Sequence, residues 1–278
     1  MNFKIVTDSS SNLFHIADIP YTCVPMKVTT SEKEYVDTPE LDVAGMIEDF
    51  KTVTGRTGSS CPNTHEWIEA FEDADCVFGI TITSKLSGSY SAAMQAREEY
   101  LSTHPDAKVC IIDSLSAGPE LQLLVEKLRD MILAGMTFEQ IEPEILAYST
   151  GTRLSFSLKS LKNLARNGRC SPTVAKIAGV LGIYLIGRAH EGVLDPTHKC
   201  RGEKKALRTL IEDMQAEGFN GGKVRIAHCM NPEAAAQMAS MLKELYPNCD
   251  VQIDTCRGLC SYYAEVGGLL IGYEGAPA

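Results

Sequence analysis

The chain has 278 residues, of which 44% are hydrophobic and 22% charged, enough apolar material for one large or two ordinary domains. Its 26 Lys and Arg stand against 36 Asp and Glu, and the formal charge of −10 excludes a general affinity for nucleic acid. No run of 18 uncharged apolar residues occurs, so no membrane span is expected, and Met1-Asn2-Phe3-Lys4 enters a strand without a signal-peptide pattern, which points to a cytoplasmic protein.

Residues 3–7 are a short apolar run that breaks into Asp8-Ser9-Ser10-Ser11-Asn12. Thr38-Pro39-Glu40 supplies a cap, a proline at a first helical position and an acid in the first turn, predicting a helix to about Val53. A short helix is expected over 65–73. The β-branched run 76–82 reads as a buried strand, followed by the small-residue turn Ser84-Lys85-Leu86-Ser87-Gly88 and a helical pattern to about Leu101. Residues 109–112 form another strand, ending in Asp113-Ser114-Leu115-Ser116-Ala117-Gly118. A helical pair follows over 120–134 and 138–148, the second interrupted by Pro143.

Residues 149–152 are the best linker, dividing the chain into 1–149 and 150–278. The second half begins with a strand at 154–158 and a helix opening at Ser171-Pro172. Paired strands are expected at 183–186 and 192–194. A charged amphipathic helix follows over 201–217, then a strand at 223–229, a helix at 232–245, and strands at 250–254 and 267–273. Alternating strands and helices in the first half imply a parallel α/β/α domain, and the second half reads as α+β with a mixed sheet.

Three strands thus end in loops of hydroxyl and small residues. In open parallel sheets ligands sit beyond the carboxyl ends of the strands, so these loops suggest a polar pocket of neutral donors. A helix start leaves N–H groups unpaired and favours an anion, while Ser87 adds a hydroxyl and Gly88 allows close approach. Two readings of Ser87 stand side by side: a helix cap, or one side of a carboxylate or phosphate site.

The ten cysteines are scattered and contain no Cys-x-x-Cys pair. They read as reduced core thiols rather than metal ligands, with Cys256 and Cys260 spaced to share a helical face. No Gly-x-Ser-x-Gly elbow and no Walker-type loop is present. His228 ends a strand and reads as a structural histidine. A serine hydrolase and a small-molecule phosphotransferase using the same Ser-rich crevice stay open as alternatives. The small residues Ala175, Ala178, Gly179, Gly182, Gly267 and Gly268 leave room for a ligand among the apolar elements.

Five blocks together resemble the DegV family of bacterial fatty-acid-binding proteins. They are Val6-Thr7-Asp8-Ser9-Ser10; Ser59-Ser60-Cys61-Pro62-Asn63; Ile82 through Tyr90; Ile112-Asp113-Ser114 with Gly118; and Asn167-Gly168-Arg169-Cys170-Ser171. The resemblance spans nearly the whole chain. It implies two domains with a long-chain fatty acid in an apolar tunnel between them and no catalytic residue or cofactor of the chain's own. It also implies a partner kinase or acyltransferase, the kinase converting the bound acid to an acyl phosphate. By the same resemblance Ser59, Ser60, Ser87, Gly88 and Tyr263 hold the carboxylate, and Arg169 and Arg201 contact the partner or phosphate. Tyr263 stands where the family often has a His, Ser59 where it has a Thr, and Tyr184-Leu185 where it often has Lys-Pro. The basic cluster Lys199, Arg201, Lys204, Lys205 and Arg208 reads either as a solvated helix face or as a docking surface for an acidic partner.

Overall fold

The computed structural model describes residues 2–170 and 182–276. The helix expected from Ser171-Pro172, with Ala175, Ala178 and Gly179, lies outside the described residues.

The first sheet is wholly parallel, in the order β2-β1-β6-β7, with β1 Phe3–Asp8, β2 Tyr21–Val24, β6 Cys76–Thr81 and β7 Lys108–Asp113. Alternate side chains go to opposite faces, and helices cover both. Val6, Val77 and Val109 meet Trp67, Phe71, Ala93 and Tyr100 of α2 (Thr64–Phe71) and α3 (Ser89–Thr103). Ile5, Phe78, Ile80 and Ile112 meet Leu121, Leu124, Ile141 and Ile145 of α4 (Pro119–Leu133) and α5 (Phe138–Ser149). Pro143 does not interrupt α5. A Thr137/Gln140 capping box fixes the start of the helix, and buried Phe138, Ile141 and Ile145 hold it through the one lost backbone bond.

A three-stranded antiparallel sheet, β4-β3-β5, was not foreseen; it comprises β3 Lys27–Thr30, β4 Glu34–Val36 and β5 Thr57–Ser60. The helix expected from Pro39 instead spans Val43–Thr52 (α1), because the Asp42 carboxylate accepts from Gly45 N at 2.9 Å and so sets the cap later.

The third sheet runs β10-β9-β8-β13-β11-β12 and is mixed, with only β11 and β12 parallel. Its strands are β8 Thr152–Leu158, β9 Ile183–His190, β10 Val193–Arg201, β11 Lys223–His228, β12 Asp250–Thr255 and β13 Leu269–Glu274. One face packs on α7 (Glu203–Ala216) and α8 (Pro232–Leu245), through residues such as Leu207, Leu210, Met214 and Met238. The other carries Leu154, Phe156, Leu158 and Leu270 toward α6 (Lys162–Arg166) and α9 (Gly258–Ala264). Cys256 precedes α9 rather than sharing a helical face with Cys260, yet both lie in this same apolar cluster.

Contacts distant in sequence join the sheets. The buried Arg225 guanidinium of β11 bonds both oxygens of Glu126 on α4, at 2.5 and 2.7 Å, and Asp250 at 2.8 Å. Buried Asp37, just past β4, accepts from Ser9 Oγ and from the N–H groups of Gly258 and Leu259 at 2.7–2.9 Å. It therefore satisfies the first turn of α9 and pins that helix to the small sheet, where Leu259 and Tyr262 pack with Met26, Val28 and Met46. No helix among the described residues is long and apolar enough to cross a membrane.

Candidate functional site

A cavity of about 260 Å³ opens between the small sheet, the β6–α3 loop, α9 and the free face of the mixed sheet. One part of its wall is polar: Ser59, Ser60, Ser87, Gly88, Arg169 and Tyr263 all line it. The rest is apolar, with Leu154, Phe156, Leu158, Leu164, Leu194 and Leu270 forming a continuous surface. Of the seven site residues that the family resemblance implies, all but Arg201 line this one cavity. Arg201 ends β10, exposed, beside Lys199 and close in sequence to Lys204, Lys205 and Arg208 of α7.

Each polar group reaches the wall by a different route. Antiparallel pairing with β3 sets Ser59 opposite Val28 at the end of β5. From α9, Tyr263 crosses to meet it, and the two hydroxyls lie 2.7 Å apart. Burial raises the Tyr263 phenol above its ordinary range, opposed by the Ser59 hydroxyl and the nearby Arg169 charge, so the ring carries a neutral O–H. Arg169 follows α6 and is braced by its own bond to the Asn167 carbonyl. Ser87 and Gly88 precede α3, whose cap position is Gly88 with no side-chain cap. Ser87 Oγ makes only a long 3.3 Å contact with Ser89 N, so the capping role weighed for it is slight and its hydroxyl is available to the cavity.

Of the three Ser-rich loops, only the one after β6 lines the cavity with hydroxyls. Ser9, Ser10 and Ser11 form a fully buried 3₁₀ turn, and their hydroxyls are used on Asp37, Asp8 and Thr7. The Ser114 hydroxyl donates to the Ser116 carbonyl within its own turn. The polar wall therefore draws less on these loops than their composition suggested, and two of its six residues, Ser59 and Ser60, come from a strand.

Asp8 is the functional neighbour that sequence reasoning passed over. It is fully buried and accepts from Ser10 N and Oγ, Ile82 N and Ser89 Oγ at 2.5–3.2 Å. Burial raises its pKa and these bonds oppose the rise. Its Oδ2 accepts from both ends of the segment from Ile82 to Ser89 that presents Ser87 and Gly88, while Oδ1 takes the two Ser10 donors. The signal was an Asp followed by serines at the end of an apolar run, which a turn explains equally well.

No histidine lines the cavity. His228 lies at the end of β11, 8% exposed, with its pKa lowered by burial and its ring bonded to Asn231 N. A Ser–His pair is not assembled at the site. The ten cysteines form no disulfide with one another, and among the described residues no group of three or more His, Cys, Asp or Glu is placed to hold a metal ion. The arrangement offers hydroxyl, phenol and backbone donors with one guanidinium, in a cavity whose remaining wall is apolar.

Comparison with known proteins bears on the family and the fold. A DegV domain-containing protein of Streptococcus pyogenes serotype M1 is 41% identical over 279 residues, covering 99% of this chain and 100% of the relative. The crystal structure of a DegV family protein from Eubacterium eligens loaded with heptadecanoic acid superposes with a TM-score of 0.97 at 42% identity, covering 99% and 100% of the two chains. The Streptococcus pneumoniae Fatty Acid Kinase (Fak) B3 protein loaded with linoleic acid gives a TM-score of 0.97 at 37% identity over the same shares. The model of the family described as "Uncharacterised protein, DegV family" matches residues 2–274. With the motif blocks, the fold and nearly the full length all in agreement, the chain belongs to the DegV family.

Proposed function

We propose that the chain binds a long-chain fatty acid in this cavity, between an N-terminal parallel domain (1–149) and a C-terminal mixed-sheet domain (150–278), and presents the carboxylate to a partner kinase for acyl-phosphate formation in the cytoplasm. The observation that carries this reading is the two-part wall: Ser59, Ser60, Ser87, Gly88, Tyr263 and Arg169 at one side, a continuous apolar surface at the other. Burying an alkyl chain yields about 0.8 kcal/mol per methylene, so the tail supplies most of the affinity. The polar groups then fix the orientation of the carboxylate. The relatives loaded with heptadecanoic and linoleic acids support the ligand class, and the Fak B3 relative supports the kinase. The exposed cations Lys199, Arg201, Lys204, Lys205 and Arg208 give an acidic partner a docking surface on an otherwise acidic chain. In this role the chain is a carrier, and the covalent step belongs to the partner.

The protein should purify with a long-chain fatty acid, detectable by solvent extraction and mass spectrometry. Recovery of only phosphorylated sugars or nucleotides, with no binding of added fatty acid, would sink the carrier reading and favour a phosphotransferase.

Ser87→Ala should weaken fatty-acid binding about tenfold or more, since a hydrogen bond to a charged group is worth about 1.5–3 kcal/mol. The melting temperature should barely move, because Ser87 contributes no side-chain cap to α3. Unchanged affinity in a displacement titration would remove Ser87 from the head-group site.

A further inference from the structure

The wall of the cavity contains one bulky apolar ring, and a gap in the neighbouring strand accommodates it. Leu154, Phe156 and Leu158 alternate along β8 and all three face the cavity. Same-face neighbours on a strand are about 7 Å apart, so a tail running along β8 passes Phe156 on its way from one leucine to the other. Phe156 pairs with Gly187 of β9 on one side and Leu270 of β13 on the other. An ideal Cβ on Gly187 would lie 2.5 Å from Phe156 Cζ, 2.8 Å from Cε2 and 2.5 Å from the carbonyl oxygen of Asp195. The ring therefore rests on a bare backbone that any other residue would fill. The next strand is irregular at the same place: Gly187 pairs with Pro196, and the register of β10 shifts between Pro196 and His198. Glycine, proline and a bulge together at one point of a sheet mark a site shaped by close approach rather than by strand propensity.

We infer that Phe156, seated in the notch left by Gly187, is a specificity-determining residue that sets how much acyl chain the cavity accepts. This rests on the fatty-acid reading above and deepens it. The reasoning is steric. The ring has Gly187 at one edge, Leu270 at the other and the sheet beneath it. The cavity is the remaining direction. With the notch open the ring lies back and the tail passes. With the notch filled the ring swings into the cavity, and the tail loses room for its terminal methylenes. Each methylene expelled from apolar contact costs about four-fold in affinity.

The test is displacement of a fluorescent fatty acid from the full chain by myristic, palmitic, stearic and arachidic acids. Phe156→Leu removes most of the ring and should raise the ratio of arachidic to myristic affinity by about tenfold or more relative to the unaltered protein. Gly187→Ala should shift the ratio the opposite way, and combining it with Phe156→Leu, which lacks the Cζ and Cε2 that the alanine meets, should abolish that shift and give a ratio like that of Phe156→Leu alone. The alanine also meets the Asp195 carbonyl, so Phe156→Leu alone decides the matter if Gly187→Ala does not fold. A Phe156→Leu protein that binds all four acids with the original rank and ratios overturns the gauge and leaves the fatty-acid reading standing. If the unaltered protein binds none of the four, the fatty-acid reading fails and the gauge falls with it.

Discussion

Asp8→Ala should destabilise the fold by about 3 kcal/mol or more, the largest loss expected of any single substitution near the site. The carboxylate is fully buried and accepts four hydrogen bonds, from Ser10 N, Ser10 Oγ, Ile82 N and Ser89 Oγ. Alanine leaves all four donors in a dry interior, and each orphaned donor costs about 1–3 kcal/mol before relaxation. The lost bonds also free both ends of the segment that carries Ser87 and Gly88, so fatty-acid affinity should fall with stability. Asp8→Asn, which keeps the shape and one good acceptor, should lie between. Equilibrium urea unfolding measures the first effect and displacement titration the second. A loss under about 1 kcal/mol for Asp8→Ala would mean that water or backbone shifts satisfy these donors, and that Asp8 does not hold the loop.

Glu120→Gln should stabilise the protein above neutral pH and leave it nearly unchanged in acid. Glu120 sits in the first turn of α4, 5% exposed, and accepts from Thr152 Oγ1 at 2.7 Å. Burial pushes its carboxyl up to about 7, with Glu217 adding repulsion, while the Thr152 hydroxyl and Arg153 charge pull the other way. The unfolded carboxyl titrates near the ordinary glutamate value of 4.5. Between these values the unfolded chain ionises while the folded one keeps its proton, so stability falls as pH rises through that window and then levels off. Glutamine has no such ionisation. The two proteins should match below about pH 4.5, and the variant should lead by about 2–3 kcal/mol above pH 7. Glu120 lines a second pocket, apart from the ligand cavity, with Asp113, Arg188 and His190, so salt should alter the size of the gap but not its sign. Urea midpoints at pH 4.5, 6 and 8 give the curve, and a difference that does not vary with pH would place the folded carboxyl in its ordinary range.

Three strands of the parallel sheet were legible because both of their faces are covered; the fourth, the edge strand Tyr21–Val24, is mostly half-buried and was not. Burial on two sides makes Cys76–Thr81 and Lys108–Asp113 nearly continuous apolar runs with sharp ends. The helices at Pro119–Leu133 and Pro232–Leu245 carry proline at the start and apolar residues at helical spacing. The small sheet escaped notice for the opposite reason. Lys27–Thr30, Glu34–Val36 and Thr57–Ser60 are short and polar, and neither period nor hydrophobicity marks them. They pair because α9, more than two hundred residues away, supplies Leu259 and Tyr262 to cover Val28 and Met46.

By itself the sequence determined the alternation of strands and helices, the family, and the Ser87-Gly88 turn before a helix, because these depend on neighbours within a few residues. Which hydroxyls line the cavity was decided by the tertiary structure. Ser9, Ser10 and Ser11 look as suitable in sequence as Ser59, yet their hydroxyls are used on Asp37, Asp8 and Thr7, while Ser59 meets Tyr263 across the cavity. A hydroxyl serves a site only when no nearer buried group claims it. Asp8 and Thr7 claim Ser10 and Ser11 locally, but Asp37 and the partner Tyr263 arrive through contacts spanning tens to hundreds of residues, which no local pattern records.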